Sequence, residues 1–216
     1  LCNFHNKAER ILVTTESMRD ELIALGIDNN KMVTWTRGGN HGAFKNPVKR
    51  DLPYKRPIWI YVGRVAVEKN IKAFLDLDLE GTKVIIGKGP NLNKLKKEYP
   101  NDFFLGEKTN GELASHFASS DVFVFPSKTD TFGQVMVEAM LCGIPVASYN
   151  VIGPKDVVIN GVTGVLNDNL YEACIKTYIN SDPFKCINHA RSFTWEKMVD
   201  EFIEVINLSN LKNKLE

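Results

Sequence analysis

Two carboxylates eight residues apart, Asp130 and Glu138, carry the strongest chemical signal in this chain. They lie in the run Pro126–Ser148, PSKTDTFGQVMVEAMLCGIPVAS. Asp130 follows the turn-like Pro126-Ser127-Lys128-Thr129, and the spacing predicts that it opens a helix with Val135, Met136, Ala139 and Met140 as the buried stripe. Eight residues of helix rise about 12 Å. That span lets one acid meet a sugar ring while the other meets a nucleotide ribose. Between them, at Phe132 and Gly133, a helix N-terminus would present free N–H groups and a positive dipole end, a seat for a diphosphate. The same residues also suit a plainer assignment, an N-cap aspartate followed by a solvated glutamate.

Three further segments bear on that choice. Gly63-Arg64 is followed five residues later by Lys69, with Asn70 next. Arginine offers a fork of donors matched to phosphate oxygens and lysine a compact point charge, so the two together can neutralise a departing diphosphate. Two surface cations, one paired with Glu68, is the alternative. Gly87-Lys88-Gly89-Pro90 is a glycine turn that matches neither the GxGxxG dinucleotide fingerprint nor the GxxxxGK[ST] phosphate loop. It is either a tight turn alone or a place where backbone comes close to a ligand. Leu105-Gly106-Glu107 is the third such segment. The sequence shows neither a nucleophile elbow nor a metal-binding cluster, which leaves charge neutralisation to Arg64, Lys69 and the helix end.

These segments fall at the ends of predicted strands. Strands are read at 58–62, 83–86, 102–105, 121–125, 145–148 and 162–166, with helices at 69–77, up to Tyr99, at 111–118, after Asp130 and at 170–178. Nearly unbroken apolar strands separated by helices imply an α/β fold, a doubly wound parallel (Rossmann-like) sheet buried on both faces. Such sheets bind ligands at the carboxyl ends of their strands. Residues 1–50 read as a separate unit with strands at 10–15 and 31–36 around a helix at 17–25. Residues 45–57, rich in proline and charge, read as a linker. Residues 51–190 form the main domain, and 191–216 a carboxy-terminal helix with Thr194 as N-cap and Trp195, Met198 and Phe202 facing a core.

The chain has 216 residues, 44% hydrophobic and 25% charged, enough for one full domain and part of a second. A net charge of +1 gives no reason to expect nucleic acid as a partner. The densest basic run, Lys94-Leu95-Lys96-Lys97, reads as a solvated helix face, with peripheral membrane contact as the alternative. Cys142 and Cys174 read as small core residues and the four cysteines fit a reduced compartment. No run is long enough to span a membrane and no signal peptide is visible. A cytoplasmic protein is expected, its inner-membrane face being one location. The start at Leu1, in mid-domain sequence, suggests a fragment.

Taken in order, these residues resemble the carboxy-terminal, donor-binding half of a GT-B fold retaining glycosyltransferase of family four (group 1). Gly63-Arg64 with Lys69-Asn70 is similar to the "GR…EKN" element that holds the donor diphosphate. Gly87-Lys88-Gly89-Pro90 is similar to a "GxGP" turn, and Leu105-Gly106-Glu107 to the loop whose backbone faces the base. Asp130 and Glu138 resemble the paired acids, usually glutamate-x7-glutamate, that contact the donor sugar and the ribose, with Phe132 and Gly133 near sugar and phosphates. Aspartate at the first position is one methylene shorter than the usual residue. Arg37 to Phe44 stands near an "RGVDxxxF" pattern in which Gly39 and Asn40 replace valine and aspartate. The resemblance implies hexosyl transfer with retention from a nucleotide-diphospho-sugar, GDP-mannose or a UDP-hexose, to a glycan or lipid acceptor. It implies no metal or other cofactor. It also implies an amino-terminal domain, in cis or as a separate chain, without which the fragment is expected to turn over little. A non-catalytic nucleotide-sugar-binding domain or partner subunit of a split transferase is the second reading, and a nucleotide-sugar epimerase a weaker third.

Overall fold

All five residues of the run Ile58-Trp59-Ile60-Tyr61-Val62 are buried, and a strand covered on both faces needs helices above and below its sheet. The computed structural model, which describes residues 2–180 and 182–212, supplies them. Two short strands come first, β1 (Ile11–Val13) and β2 (Met32–Thr34), paired in parallel. Then follow β3 (Ile58–Val62), β4 (Thr82–Ile86), β5 (Phe103–Gly106), β6 (Val122–Phe125), β7 (Val146–Ser148) and β8 (Gly164–Leu166). These six make one parallel sheet in the order β5-β4-β3-β6-β7-β8. The order is doubly wound: the sheet grows one way from β3 and the other way from β6, and a crevice opens between their carboxyl ends.

Side chains alternate across the sheet, so each strand feeds two cores. One face buries Ile58, Ile60, Phe123 and Phe125 under helices Asn110–Ser119, Gln134–Leu141 and Pro183–Ala190. The other buries Trp59, Tyr61, Val122 and Val124 under Ile71–Leu75, Leu92–Glu98 and Leu170–Asn180. Cys142, Cys174 and Cys186 are buried, and Lys94, Lys96 and Lys97 lie exposed on one helix face. No helix among the described residues is long and apolar enough to cross a membrane.

Three expectations change. The helix read at 69–77 is a tight turn, Val67–Lys69, followed by a short helix, Ile71–Leu75, with Asn70 left-handed between them at φ 52°. The predicted linker is held down along the sheet. Leu52 and Tyr54 pack against the first core, Tyr54 lies 4.6 Å from Phe103, and Arg56 meets Asp121 at 2.5 Å. Apolar side chains spaced among its prolines and charges give it something to bury. Helix Trp195–Lys212 is capped by Thr194 as read, through Lys197 N–H at 3.1 Å. Its aromatic stripe is not core, however: Trp195 is 48% and Phe202 39% exposed. The helix lies across the first unit, where Trp35 donates to the Met198 carbonyl at 2.8 Å and stacks on Phe202, and Thr36 N–H donates to Glu201 Oε2 at 3.1 Å.

The carboxyl edge of the sheet is held together beyond the strands themselves. Gly63 N–H donates to Ile86 O (3.0 Å), Val65 N–H to Lys88 O (2.9 Å) and Gly87 N–H to Gly106 O (2.8 Å). The turns after β3, β4 and β5 therefore stand side by side. Gly87 is where that closeness is tightest: at φ +138°, a Cβ there would sit 1.9 Å from the Gly63 carbonyl oxygen. We expect Gly87→Ala to cost about 2–4 kcal/mol in urea unfolding. Gly111→Ala, in open space within a helix, should be neutral or stabilise by up to about 1 kcal/mol. Equal effects at the two positions would contradict this account of the edge.

Candidate active site

The crevice between β3 and β6 is bridged by an ion pair. Lys69 Nζ donates to Asp130 Oδ1 at 2.5 Å, with side chains 25% and 21% exposed. Lys69 comes from the turn after β3 and Asp130 from the loop after β6. Beside them Asn70 Nδ2 donates to the Pro126 carbonyl at 3.1 Å, tying the same two segments a second time. Below, Tyr61 is buried in the second core, and its hydroxyl donates to the Arg64 carbonyl at 2.9 Å. Burial raises the Tyr61 phenol pKa, and the negative charges of Asp130 and Glu68 raise it further, so it stays a neutral donor. Two buried polar atoms in this loop have no hydrogen-bond partner: Asp130 Oδ2 and Ser127 Oγ. An orphaned carboxylate oxygen beside a cation, at the carboxyl edge of a parallel sheet, has the capacity to accept a ligand hydroxyl.

Asp130 does not open a helix. Helix Gln134–Leu141 starts four residues later, with Gly133 as N-cap at φ +78° and no side-chain cap. The N-cap alternative for Asp130 falls with it, because its carboxylate is engaged by Lys69. A left-handed N-cap leaves the first N–H groups of the helix uncapped by side chains, and Phe132 is buried just before it. The helix is also buried more fully than a stripe: Met136, Val137, Ala139, Met140 and Leu141 are all enclosed, while Val135 is only partly so. Glu138 is partly buried on it, and burial alone pushes its carboxyl up to about 7. At the first turn, Gln134 Nε2 donates to the Gly38 carbonyl at 3.0 Å, linking this helix to the first unit.

A cleft of about 640 Å³ lies on the other side of β3, lined by Gly63, Arg64, Gly87, Gly89, Glu107 and Lys108 among others. Arg64 is exposed and reaches Glu68 at 3.4 Å, the surface pairing that was the alternative reading, while also bordering the cleft. Leu105 and Gly106 end β5, and Leu105 packs against the first core, so the cleft is lined by the following residues, Glu107 and Lys108. The named residues thus form two adjoining groups. Lys69, Asp130, Phe132 and Gly133 gather around the switch point. Gly63, Arg64, Gly87 and Gly89 line the cleft, and Glu138 stands one helical turn in from the helix start.

The sequence reading missed the partner of Glu107: Lys88 Nζ meets Glu107 Oε2 at 2.6 Å across the cleft mouth. The signal available was opposite charge placed just past two adjacent strand ends, which the Ile86–Gly106 register brings together. Ser127 was given no role, and the bond from Asn70 to the Pro126 carbonyl is visible only in the fold.

A family model described as glycosyl transferases group 1 matches residues 43–181. A GDP-mannose-dependent alpha-mannosyltransferase of Mycolicibacterium smegmatis is 36% identical over 177 residues, covering 77% of this chain and 46% of that protein. One from Mycobacterium tuberculosis is 33% identical over 172 residues, covering 76% and 45%. The chain therefore spans about half the length of these relatives. Among solved structures, a sucrose-phosphate synthase from Thermosynechococcus elongatus superposes with a TM-score of 0.83 at 23% identity, over 95% of this chain and 59% of that one. Anabaena HepE, solved with UDP-glucose, gives 0.72 at 18% identity, over 96% and 65%. These two likenesses concern the fold, which is that of GT-B glycosyltransferases. With the match spanning both halves of the crevice, the chain belongs to the group 1 glycosyl transferases.

Proposed function

We propose that the chain is the donor-binding half of a retaining glycosyltransferase that moves a hexosyl group from a nucleotide-diphospho-sugar to a glycan or lipid acceptor. The observation that carries this reading is the Lys69–Asp130 pair across the switch point, with one Asp130 oxygen held and the other unpartnered. The donors considered are GDP-mannose and UDP-hexoses, and the GDP-mannose dependence of the relatives favours the first.

The chemistry asked of these residues is electrostatic. When the bond between sugar and diphosphate breaks, negative charge grows on the departing phosphate oxygens. Lys69 and the uncapped N–H groups at Gly133–Gln134 would stand where that charge develops, and such preorganisation lowers the barrier without reorganisation at the moment of reaction. Arg64 must leave Glu68 to take part, which costs little, because an exposed pair contributes about 0–1 kcal/mol. Asp130 would accept from a sugar hydroxyl through its free oxygen while holding Lys69 with the other, so sugar and leaving group share one anchor. Glu138 is assigned to the ribose. The reading gives charge neutralisation to side chains, without a tightly held metal or other cofactor. The acceptor and the opposite wall of the cleft belong to an amino-terminal domain, in cis or as a separate chain.

Calorimetry with GDP-mannose, UDP-glucose and UDP-N-acetylglucosamine tests this directly. Lys69→Ala and Glu138→Ala should each weaken donor binding by about 1–3 kcal/mol. Absence of binding by the wild-type chain at millimolar nucleotide sugar would overturn the reading.

The Glu138 carboxyl gives a second, independent test. Its folded pKa of about 7 lies above the ordinary 4.5. Between those values the folded chain holds a proton that the unfolded chain has released, so this group's contribution to stability is present at low pH and is lost as pH rises through about 7. Melting temperatures from pH 5 to 8 should fall more steeply for the wild type than for Glu138→Gln. Donor affinity should move the opposite way, strengthening over the same range in the wild type only, as the carboxylate that accepts ribose hydroxyls forms. Identical melting profiles for the two proteins would show that Glu138 is not the buried, unpaired acid described here.

A further inference from the structure

We propose that a second cavity, away from the donor crevice, binds a sugar phosphate with its phosphate held by Lys45 and Arg191. The site goes beyond the donor-binding reading and does not depend on it. The cavity has a volume of about 550 Å³. His41, Lys45 and Asn46 line it from one segment, Ile187 and Arg191 from another, together with Leu141 at the end of helix Gln134–Leu141. Among the described residues no carboxylate lines it, and neither Lys45 nor Arg191 makes an ion pair. Lys69, Arg56 and Lys88, by contrast, each meet a carboxylate. Two like charges lining one recess with no carboxylate to offset them raise the local concentration of anions.

Cations placed after helices commonly offset the partial negative charge of the last carbonyls. Here those carbonyls have other partners. The Cys142, Gly143 and Ile144 N–H groups take the Glu138, Met140 and Ala139 carbonyls, and the Arg191, Ser192 and Phe193 N–H groups take those of Ile187, His189 and Ala190. The side chains of Lys45 and Arg191 are left for another anion. Arginine offers a fork matched to phosphate oxygens and lysine a point charge, so a phosphate shared by them gains a charge-assisted bond from each. A bare phosphate would fill little of the cavity. The remainder suits a sugar, with Leu141 and Ile187 as an apolar surface for ring C–H groups and polar side chains for its hydroxyls. His41 Nε2 lies 2.8 Å from the Phe193 carbonyl, so Nε2 carries the hydrogen, and Nδ1 has no partner among the described residues. Asn46 is left-handed, at φ 67°, and its amide supplies both donors and an acceptor. Leu141 and the Gly133 N-cap stand at opposite ends of one helix, about 12 Å apart. One phosphate therefore cannot serve both sites.

The test is calorimetric titration of the full chain with mannose 6-phosphate, mannose and inorganic phosphate. The sugar phosphate should bind, inorganic phosphate should bind more weakly, and mannose should give no measurable heat. Lys45→Gln and Arg191→Gln should each weaken the sugar phosphate by about tenfold or more, the scale of a lost charged hydrogen bond. Arg191→Lys, which keeps the charge, should retain part of the affinity. Both side chains are exposed, so these variants should melt with the wild type. Lys69→Ala and saturating GDP are directed at the donor crevice and should leave the titration unchanged, whether or not the donor-binding reading holds. Displacement of the sugar phosphate by GDP would overturn the site, as would wild-type affinity in the doubly substituted Lys45→Gln, Arg191→Gln chain. Vesicles of phosphatidylcholine and phosphatidic acid carry the same phosphate monoester on a membrane and should not compete. Capture of those vesicles by a chain that ignores mannose 6-phosphate would overturn the soluble ligand. Loss of nucleotide-sugar binding with this titration intact would overturn the donor reading alone.

Discussion

The meeting of Lys69 with Asp130 is the contact on which the site depends. It closes the switch point between the parallel strands β3 and β6, where the connections leave toward opposite ends of the sheet, and among the described residues no backbone hydrogen bond joins the two turns beyond the strand ends. Side chains must do the joining, and they do it twice, with Lys69–Asp130 and with Asn70 on the Pro126 carbonyl. Partial burial shields the ion pair from full screening by water. It also places an unpartnered carboxylate oxygen next to a fixed positive charge. Such an atom is costly in an empty protein and useful in a liganded one.

The two halves of the sheet edge are built by different means. On the β3–β4–β5 side, backbone hydrogen bonds continue past the strands, and glycines permit the turns to touch. That side is a rigid, low-relief floor. On the β6 side, the loop from Pro126 to Gly133 leads into a helix enclosed almost all round. The helix end is therefore fixed by packing rather than by capping, which frees its N–H groups for other partners.

Much of this was legible before any coordinates. The run 58–62 is a strand from end to end, and the order of glycine turns and charged residues placed every singled-out segment near one edge. The resemblance to group 1 glycosyl transferases came from the same residues. What the sequence hid were matters of tertiary choice. The pairing of Lys69 with Asp130 joins residues 61 positions apart, and no local periodicity reports it. The helix start was misplaced because an aspartate is a strong cap signal, while Gly133 took that position by adopting a backbone angle that suits glycine. Leu52 and Tyr54 were overlooked because proline and charge around them read as linker. The stripe on the last helix read as core because spacing shows that residues share a face but not whether anything covers it.

The bond from Gln134 to the Gly38 carbonyl has a mechanical consequence. Gln134 is the first residue of the helix whose N–H groups face the crevice, and Gly38 belongs to the segment joining the two-stranded unit to the rest of the chain. The two are therefore geared together. The same two units are also tied by Ser17 N–H on Asp156 and by the Thr14 hydroxyl on the Thr131 carbonyl, so the opening turn of that helix is one of several side-chain links between them. A change in how the two units meet would therefore be felt at the residue that opens that helix.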